Sequence, residues 1–216
     1  MKLPDKTVSI QTLRRLPVYL HYLKSLDGCA PAVSATVIAE ALGLNDVQVR
    51  KDLGSVSGSG RPKKGYVTSE LITELEEYLG CNSVTNTVLV GAGNLGRALL
   101  SYGGFSDYGL EIVAAFDASD KVVGSVAGGK PVLPMSDLGR ICASCGARLG
   151  IITVPAAGAQ AACDELVKHG ITAVWNFAPT ILKVPADVLV ENENLASSLA
   201  VLSQHLSDGA DGRRRA

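Results

Sequence analysis

Apolar residues fall at Leu13, Leu16, Leu20 and Leu23, the three-and-four spacing of an amphipathic helix over about 10–26. Pro17 interrupts this pattern, so the helix either kinks there or starts near it. Ser34 stands as the N-cap of a short helix over 35–42, and Gly43 ends it in the left-handed conformation. Asn45 caps the next helix, with Gln48 at its third position completing a capping-box-like pair. Residues 34–54 therefore read helix, short turn, helix, which is helix-turn-helix spacing. On the second of these helices Val49, Leu53 and Val56 share one inward face. Val47, Gln48 and Lys51 point outward, with Arg50 to one side. Helical periodicity stops from Ser55 to Gly65, a Gly/Ser-rich stretch carrying Arg61, Lys63 and Lys64. It reads as the wing of a winged helix, with its basic residues suited to an A·T-rich minor groove. One more amphipathic helix is expected over 69–79, on Leu71, Leu75 and Leu79, and Gly80 closes it.

Beyond a polar connection the pattern changes to apolar runs alternating with helical periodicity, as in a parallel α/β sheet. Strands are expected at 88–90, 111–116, 131–133, 149–154, 173–177 and 188–191. Helices are expected from Leu95 onward, behind a Ser136 cap, over 158–169 and over 195–206. The first strand runs into Gly91-Ala92-Gly93-Asn94-Leu95-Gly96, and Leu95, Ala98 and Leu99 then recur at helical spacing. This strand–glycine turn–helix layout holds a dinucleotide pyrophosphate. Gly91 allows the tight turn, Gly93 lets the backbone approach the phosphates, and Gly96 lets helix pack on strand. The helix start adds free N–H groups and partial positive charge. Asp117, 26 residues past Gly91, ends the second strand. A carboxylate there binds the adenosine ribose and rejects a 2′-phosphate, which favours NAD over NADP. Thr153-Val154-Pro155 and Asn176-Phe177-Ala178-Pro179 lie at the ends of later strands, where ligands bind in such sheets.

Composition supports this division. Apolar residues make up 47% of the 216, aromatics only 5%, a mix suited to buried parallel strands covered by helices. Residues 1–66 hold ten Lys/Arg against five Asp/Glu, whereas the whole chain has a net charge of −1. A basic first third on a near-neutral protein points to a polyanion site at one end. No apolar run reaches membrane-spanning length and residues 1–5 do not resemble a signal peptide, so a soluble, cytoplasmic protein is expected. The five cysteines are then reduced thiols. Cys142-Ala-Ser-Cys145 has CxxC spacing but no second pair to complete a zinc site, and it falls in an expected helix. No metal and no catalytic residue is assigned: no His or Lys sits beside an acid in a catalytic arrangement, and only one helix follows the dinucleotide domain.

Taken together, these motifs resemble the Rex family of redox-sensing transcriptional repressors. The resemblance is carried by Thr12-Leu-Arg-Arg-Leu-Pro-Val-Tyr19, Val47-Gln-Val-Arg-Lys-Asp-Leu53, Val90-Gly-Ala-Gly-Asn-Leu-Gly-Arg-Ala-Leu99, Tyr102-Gly-Gly-Phe105, Ala114-Ala-Phe-Asp117, Asn176-Phe-Ala-Pro179 and Val190-Glu-Asn192. It implies a homodimer of N-terminal winged helices and C-terminal Rossmann domains, with the last helix swapped onto the partner near the nicotinamide. It implies that NADH releases the protein from a palindromic operator, while NAD⁺ competes without releasing it. By position, Arg50 and Lys51 would contact DNA and the wing would enter the minor groove. Gly91, Gly93 and Gly96 would hold the pyrophosphate, Asp117 the ribose, and Tyr102 with residues 177–179 would lie near the nicotinamide. Two departures stand out. The segment after the recognition helix is Gly/Ser-rich where many relatives carry an aromatic, and Asn194-Leu195 replaces an Asp-led pair. An Asp there could pair with Arg15 in one state; Asn cannot supply that charge.

The expected domains are a mainly α winged-helix DNA-binding domain over 1–82 and an α/β Rossmann NAD(H)-binding domain with a parallel sheet over 83–192. A swapped C-terminal helix follows over 193–207, then a disordered tail over 208–216. The DNA-facing set is Arg14, Arg15, Asn45, Gln48, Arg50, Lys51, Arg61, Lys63 and Lys64, with double-stranded operator DNA and a second copy of the chain as partners. Two alternatives remain open. One is a small NAD(H)-dependent oxidoreductase with an accessory helical domain. The other is a nucleotide- or CoA-binding regulatory module that does not bind DNA.

Overall fold

A computed structural model describes residues 8–26, 28–62, 64–194, 196, 199–200 and 202–206. Lys63, Leu195, the tail over 208–216 and parts of the expected last helix lie outside the described residues. The chain divides into two compact units. Residues up to Val84 with Ser106–Gly109 form the first, and the rest from Thr85 form the second.

In the first unit α1 (Ile10–Ser25) starts behind Ser9, whose side chain accepts from the Thr12 N–H. It runs on through Pro17 rather than starting there. Leu16, Leu20 and Leu23 are buried as the spacing predicts, but Leu13 is 41% exposed. Thr12 and Tyr19 take the inward places instead. Strand β1 (Ala32–Val33) leads to α2 (Ala35–Leu42), capped by Ser34 and closed by Gly43 at φ 65°. Helix α3 (Asp46–Val56) follows at once. Its Val49, Leu53 and Val56 are buried with Leu16, Leu20, Leu23, Ile38, Leu71 and Leu75 in one core. The Asn45 side chain accepts from the N–H groups of Val47 and Gln48, but the expected reciprocal bond from Gln48 does not form: its amide goes to Asp52. After α3 a bridge between Arg61 and Gly65 forms the wing, and β2 (Tyr66–Val67) pairs antiparallel with β1. Gly65 has φ +75°, and a Cβ there would fall on the carbonyl oxygen of Val33, so only glycine closes this wing. Helix α4 (Thr68–Leu79) completes the unit with Leu71 and Leu75 inward.

The second unit is a seven-stranded sheet. Its strands are β3 (Thr85–Val90), β4 (Leu110–Asp117), β5 (Val126–Ala127), β6 (Lys130–Pro134), β7 (Leu149–Ile152), β8 (Ala173–Asn176) and β9 (Leu189–Asn192). They stand in the order β5-β6-β4-β3-β7-β8-β9, all parallel except β5. Without that edge hairpin this is the 3-2-1-4-5-6 order of a Rossmann sheet, whose strand order reverses between β3 and β7. Helices α5 (Asn94–Leu100), α6 (Leu138–Cys145) and α7 (Ala156–Lys168) connect the strands. The inward residues of α5 are Gly96 and Leu100 rather than the expected Leu95 and Ala98, which are exposed. Ser136 does not cap α6: it lies inside a 3-10 turn (Met135–Asp137), and α6 starts at Leu138 without a side-chain cap. The strand expected over 149–154 ends at Ile152, because Thr153 turns to bond the neighbouring glycine turn. Cys142 and Cys163 are buried in the core beneath the sheet, and burial raises both thiols above their ordinary range. Among the described residues no helix is long and apolar enough to cross a membrane.

Candidate functional site

The end of β3 passes into Gly91 at φ +106°, a conformation that favours glycine. A Cβ on Gly96 would fall on the Gly91 carbonyl oxygen, so helix α5 can approach the turn only through a glycine. In front of Gly93 none of the described residues lies within 4 Å of where a Cβ would stand, which leaves its backbone open. Gly91 and Gly96 thus take the turn and packing roles that the glycine spacing predicts. Side chains then fasten the turn. Thr153 donates its hydroxyl to the Gly91 carbonyl at 2.6 Å, Arg97 Nε donates to the Ala92 carbonyl at 3.0 Å, and the Ala92 N–H donates to Asp117 Oδ2 at 2.8 Å. Asp117 Oδ1 also accepts from the Ser119 N–H at 2.8 Å. Each carboxylate oxygen has two acceptor sites, so Asp117 keeps capacity for ribose hydroxyls while bracing the turn.

A cleft of about 670 Å³ opens at this point, lined by Gly91, Gly93, Asp117, Met135, Thr153, Val154, Pro155 and the small residues Ala157, Gly158 and Ala161 of α7. It sits at the carboxyl ends of β3, β4 and β7, where doubly wound sheets bind nucleotides. Its walls are mostly apolar, and Asp117 and Glu165 supply the acids. No cation stands among the lining residues to receive a 2′-phosphate.

Not every expected nucleotide residue lines this cleft. Asn94 and Leu95 are exposed beside it, and Ala92 is buried behind the turn. Tyr102, 61% exposed, packs edge-on against Phe105, Phe105 against Trp175, and Trp175 against Phe177, giving one aromatic row from the end of α5 to the end of β8. Asn176 is fully buried and its amide is committed to the loop: it donates to the carbonyls of Ala178 and Thr180 and to Asn192, and accepts from the Ala178 N–H. It shapes the 177–180 turn, with Ala178 buried and Pro179 exposed. The Trp175 indole N–H donates to Glu193, a tie the sequence did not announce.

In the first unit two grooves flank α3. One of about 520 Å³ lies beside α1 and is lined by Gln11, Arg15, Gln48, Lys51 and Asp52. The other, about 550 Å³, is lined by Ser34 and Thr36 at the start of α2, by Arg50, and by Arg61 and Lys64 of the wing. The structure thus gathers most of the expected DNA-facing cations along both sides of α3. Arg14 is exposed on α1. Arg50 makes an exposed ion pair with Asp46 at 2.9 Å, which competes only weakly with another anion. The Arg15 guanidinium, by contrast, is committed: Nε and Nη2 donate to the two oxygens of Asp52 at 2.7 and 3.0 Å.

Asp52 is the residue that periodicity missed. It is 1% exposed and also accepts from Thr12, Tyr19 and Gln48. Burial pushes its carboxyl up, but the bonds from Arg15, Tyr19, Gln48 and Thr12 prevail and hold it below the ordinary carboxylate range. Burial and the same carboxylate push the Tyr19 phenol up to about 12. The signal was present as Thr12, Arg15 and Tyr19 on one face of α1, opposite an acid in an otherwise apolar stripe.

A winged helix with basic grooves and a Rossmann cleft on one chain define the class of ligand-responsive transcription regulators. Residues 82–180 match the family model described as "CoA binding domain", and residues 7–54 the model described as "Putative DNA-binding protein N-terminus". The chain is 41% identical over 199 residues to the redox-sensing transcriptional repressor Rex of Treponema denticola, covering 92% of this chain and 95% of that one. It is 38% identical over 208 residues to the repressor Rex of Clostridioides difficile, covering 96% and 99%. Among solved structures it is similar to the Rex-family repressor RSP. The complex of RSP with β-NAD⁺ and operator DNA has a TM-score of 0.88 at 34% identity and 97% of both chains, and the complex with β-NADH a TM-score of 0.84 at 33% identity, covering 98% of this chain and 100% of that one. The chain belongs to the Rex family of redox-sensing transcriptional repressors.

Proposed function

We propose that this chain represses transcription by binding a two-fold symmetric operator as a homodimer, and that NADH releases it. The observation that carries the nucleotide half is the cleft at the sheet's switch point. Its glycine turn is open at Gly93, and Asp117 stands where a ribose would lie. These features fit NAD(H) and leave no cation for NADP(H). When bound, the nicotinamide supplies redox information, since it exists as NADH or NAD⁺. Gly91, Gly93 and Gly96 would hold the pyrophosphate and Asp117 the ribose, Val154 and Pro155 would wall the cleft, and Tyr102 with residues 177–179 would lie toward the nicotinamide. In the first unit Lys51, Arg50, Arg61 and Lys64 supply the phosphate contacts and α3 the base contacts.

A dimer presents two recognition helices at a fixed spacing, so its site is an inverted repeat. The described part of the last helix fits a partner contact: Leu199, Leu202 and Leu206 are 65%, 60% and 72% exposed at three-and-four spacing. The domain limits at 82 and 192 and a cytoplasmic location belong to the same reading. An electrophoretic shift with A·T-rich inverted repeats tests it. The full-length protein should retard such a duplex, and NADH should abolish the retardation. Steady turnover of NADH with any small substrate would favour the oxidoreductase alternative instead.

A further inference from the structure

We propose that Gln48 reads adenine in the major groove and that Asp52 fixes the orientation in which it does so. The inference rests on the DNA-binding reading above and deepens it. Gln48 is the third residue of α3, in the part of a recognition helix that meets base edges. It is exposed, yet its Nε2 donates to Asp52 Oδ1 at 2.8 Å. Asp52 is buried and already accepts from Thr12, Arg15 and Tyr19, so it is an acceptor without a proton to offer. The end of the Gln48 amide turned toward it must therefore be the NH₂ group.

One N–H is spent on Asp52. What remains to face a ligand is the other N–H and Oε1, side by side. Adenine presents that complement, an N7 acceptor beside an N6 amino donor. Guanine presents two acceptors and would set its O6 against Oε1. A glutamine free to flip could serve guanine by offering its NH₂ group outward. Here the flip would press Oε1 against the Asp52 carboxylate. Asp52 thus excludes the guanine-reading orientation, and an ambivalent side chain becomes a selective one. Neighbouring residues do not offer the same pair: Asn45 Oδ1 is used in capping, and Arg50 is paired with Asp46. Asp52 is a positioning residue in this account, since it touches the reader and not the base.

The test starts with duplexes recovered by the full-length protein from a pool of randomised inverted repeats. Each adenine of the recovered half-site is replaced in turn by 7-deazaadenine, which lacks N7, and by purine, which lacks the N6 amino group. Affinity is measured by fluorescence anisotropy at fixed salt. One adenine per half-site should lose roughly tenfold or more on either replacement. The exposed Gln48→Ala variant should bind modified and unmodified duplexes equally. Asp52→Asn, where it folds, should narrow the preference for adenine over guanine at that position and leave the salt dependence unchanged. Equal losses in wild type and Gln48→Ala at every adenine, or no adenine whose N7 matters, overturn the inference alone. If the pool yields no bound duplex, the DNA-binding reading itself falls and takes the inference with it.

Discussion

The Ala92 N–H donates to the Asp117 carboxylate at 2.8 Å, so the glycine turn and the acid on the next strand are held as one piece. Asp117→Ala should therefore do double damage, removing the ribose acceptor and slackening the turn. NADH affinity should fall roughly tenfold or more, the scale of losing hydrogen bonds to a charged group. The preference for NADH over NADPH should shrink as well. Fluorescence titration with both nucleotides checks this, and unchanged NADH binding contradicts it.

Two neighbouring glycines should respond in opposite ways. Gly93 has φ −71° and open space before it, so Gly93→Ala should leave stability within about 0.5 kcal/mol, as for a compatible backbone. Its methyl group would occupy the phosphate approach, and NADH binding should be lost. Gly96→Ala puts a methyl group on the Gly91 carbonyl and should destabilise the domain by about 1–3 kcal/mol, the usual cost of overpacking. Urea denaturation beside NADH titration separates the two. Equal stability losses would refute the distinction.

Tyr19 donates to Asp52 at 2.8 Å and titrates at about 12 in the fold, above its ordinary 10.0. The fold thus favours the neutral phenol. That stabilisation is complete below pH 10 and is lost as pH rises toward 12. Asp52 works in the other direction: its contribution is present above the ordinary carboxylate value and is lost as acid protonates it below that. Tyr19→Phe should cost about 1–2 kcal/mol at neutral pH. It should also flatten the alkaline fall in urea midpoint between pH 10 and pH 12. Parallel curves for wild type and variant would show that Tyr19 has no part in that fall.

Lys51 is exposed on α3 and lines the groove beside α1. If it contacts phosphate, Lys51→Ala should weaken binding to all duplexes alike and reduce the salt slope by about 1. Anisotropy at several salt concentrations reads both. A loss confined to one base position would mark Lys51 as a base reader instead.

The chain shows how far periodicity carries. Ser34, Gly43 and Asn45 place the helix-turn-helix within a residue, because caps are local chemistry. The glycine turn is as legible: each of Gly91, Gly93 and Gly96 has its own steric reason. Long-range polar contacts are not. Nothing local tells that Arg15 faces inward to Asp52, 37 residues away, whereas the Gln48–Asp52 bond is an ordinary contact between successive turns of α3 that wins over the cap. Asn176 looked available for a ligand because its strand ends at the site; its NH₂ group is engaged by the 178–180 turn and by Asn192, a use that the strand pattern does not show. The β5–β6 hairpin, turning at Gly128-Gly129 with φ 56° and 76°, went unread beyond its second strand, because two-residue β5 is too short to show alternation.

If NADH releases the protein from DNA, the nucleotide cleft and the DNA-binding face must be energetically linked. Linkage is reciprocal, so a ligand that releases DNA must itself be weakened by DNA by the same factor. The most direct measurement titrates NADH and NAD⁺ separately into the complex of the protein with an operator duplex, and measures the Kd of each nucleotide with and without DNA. NADH should dissociate the complex and lose affinity when DNA is present, by about 5- to 150-fold. NAD⁺ should bind the same cleft and leave the complex intact. Equal behaviour of the two nucleotides, or an NADH affinity indifferent to DNA, would contradict the account.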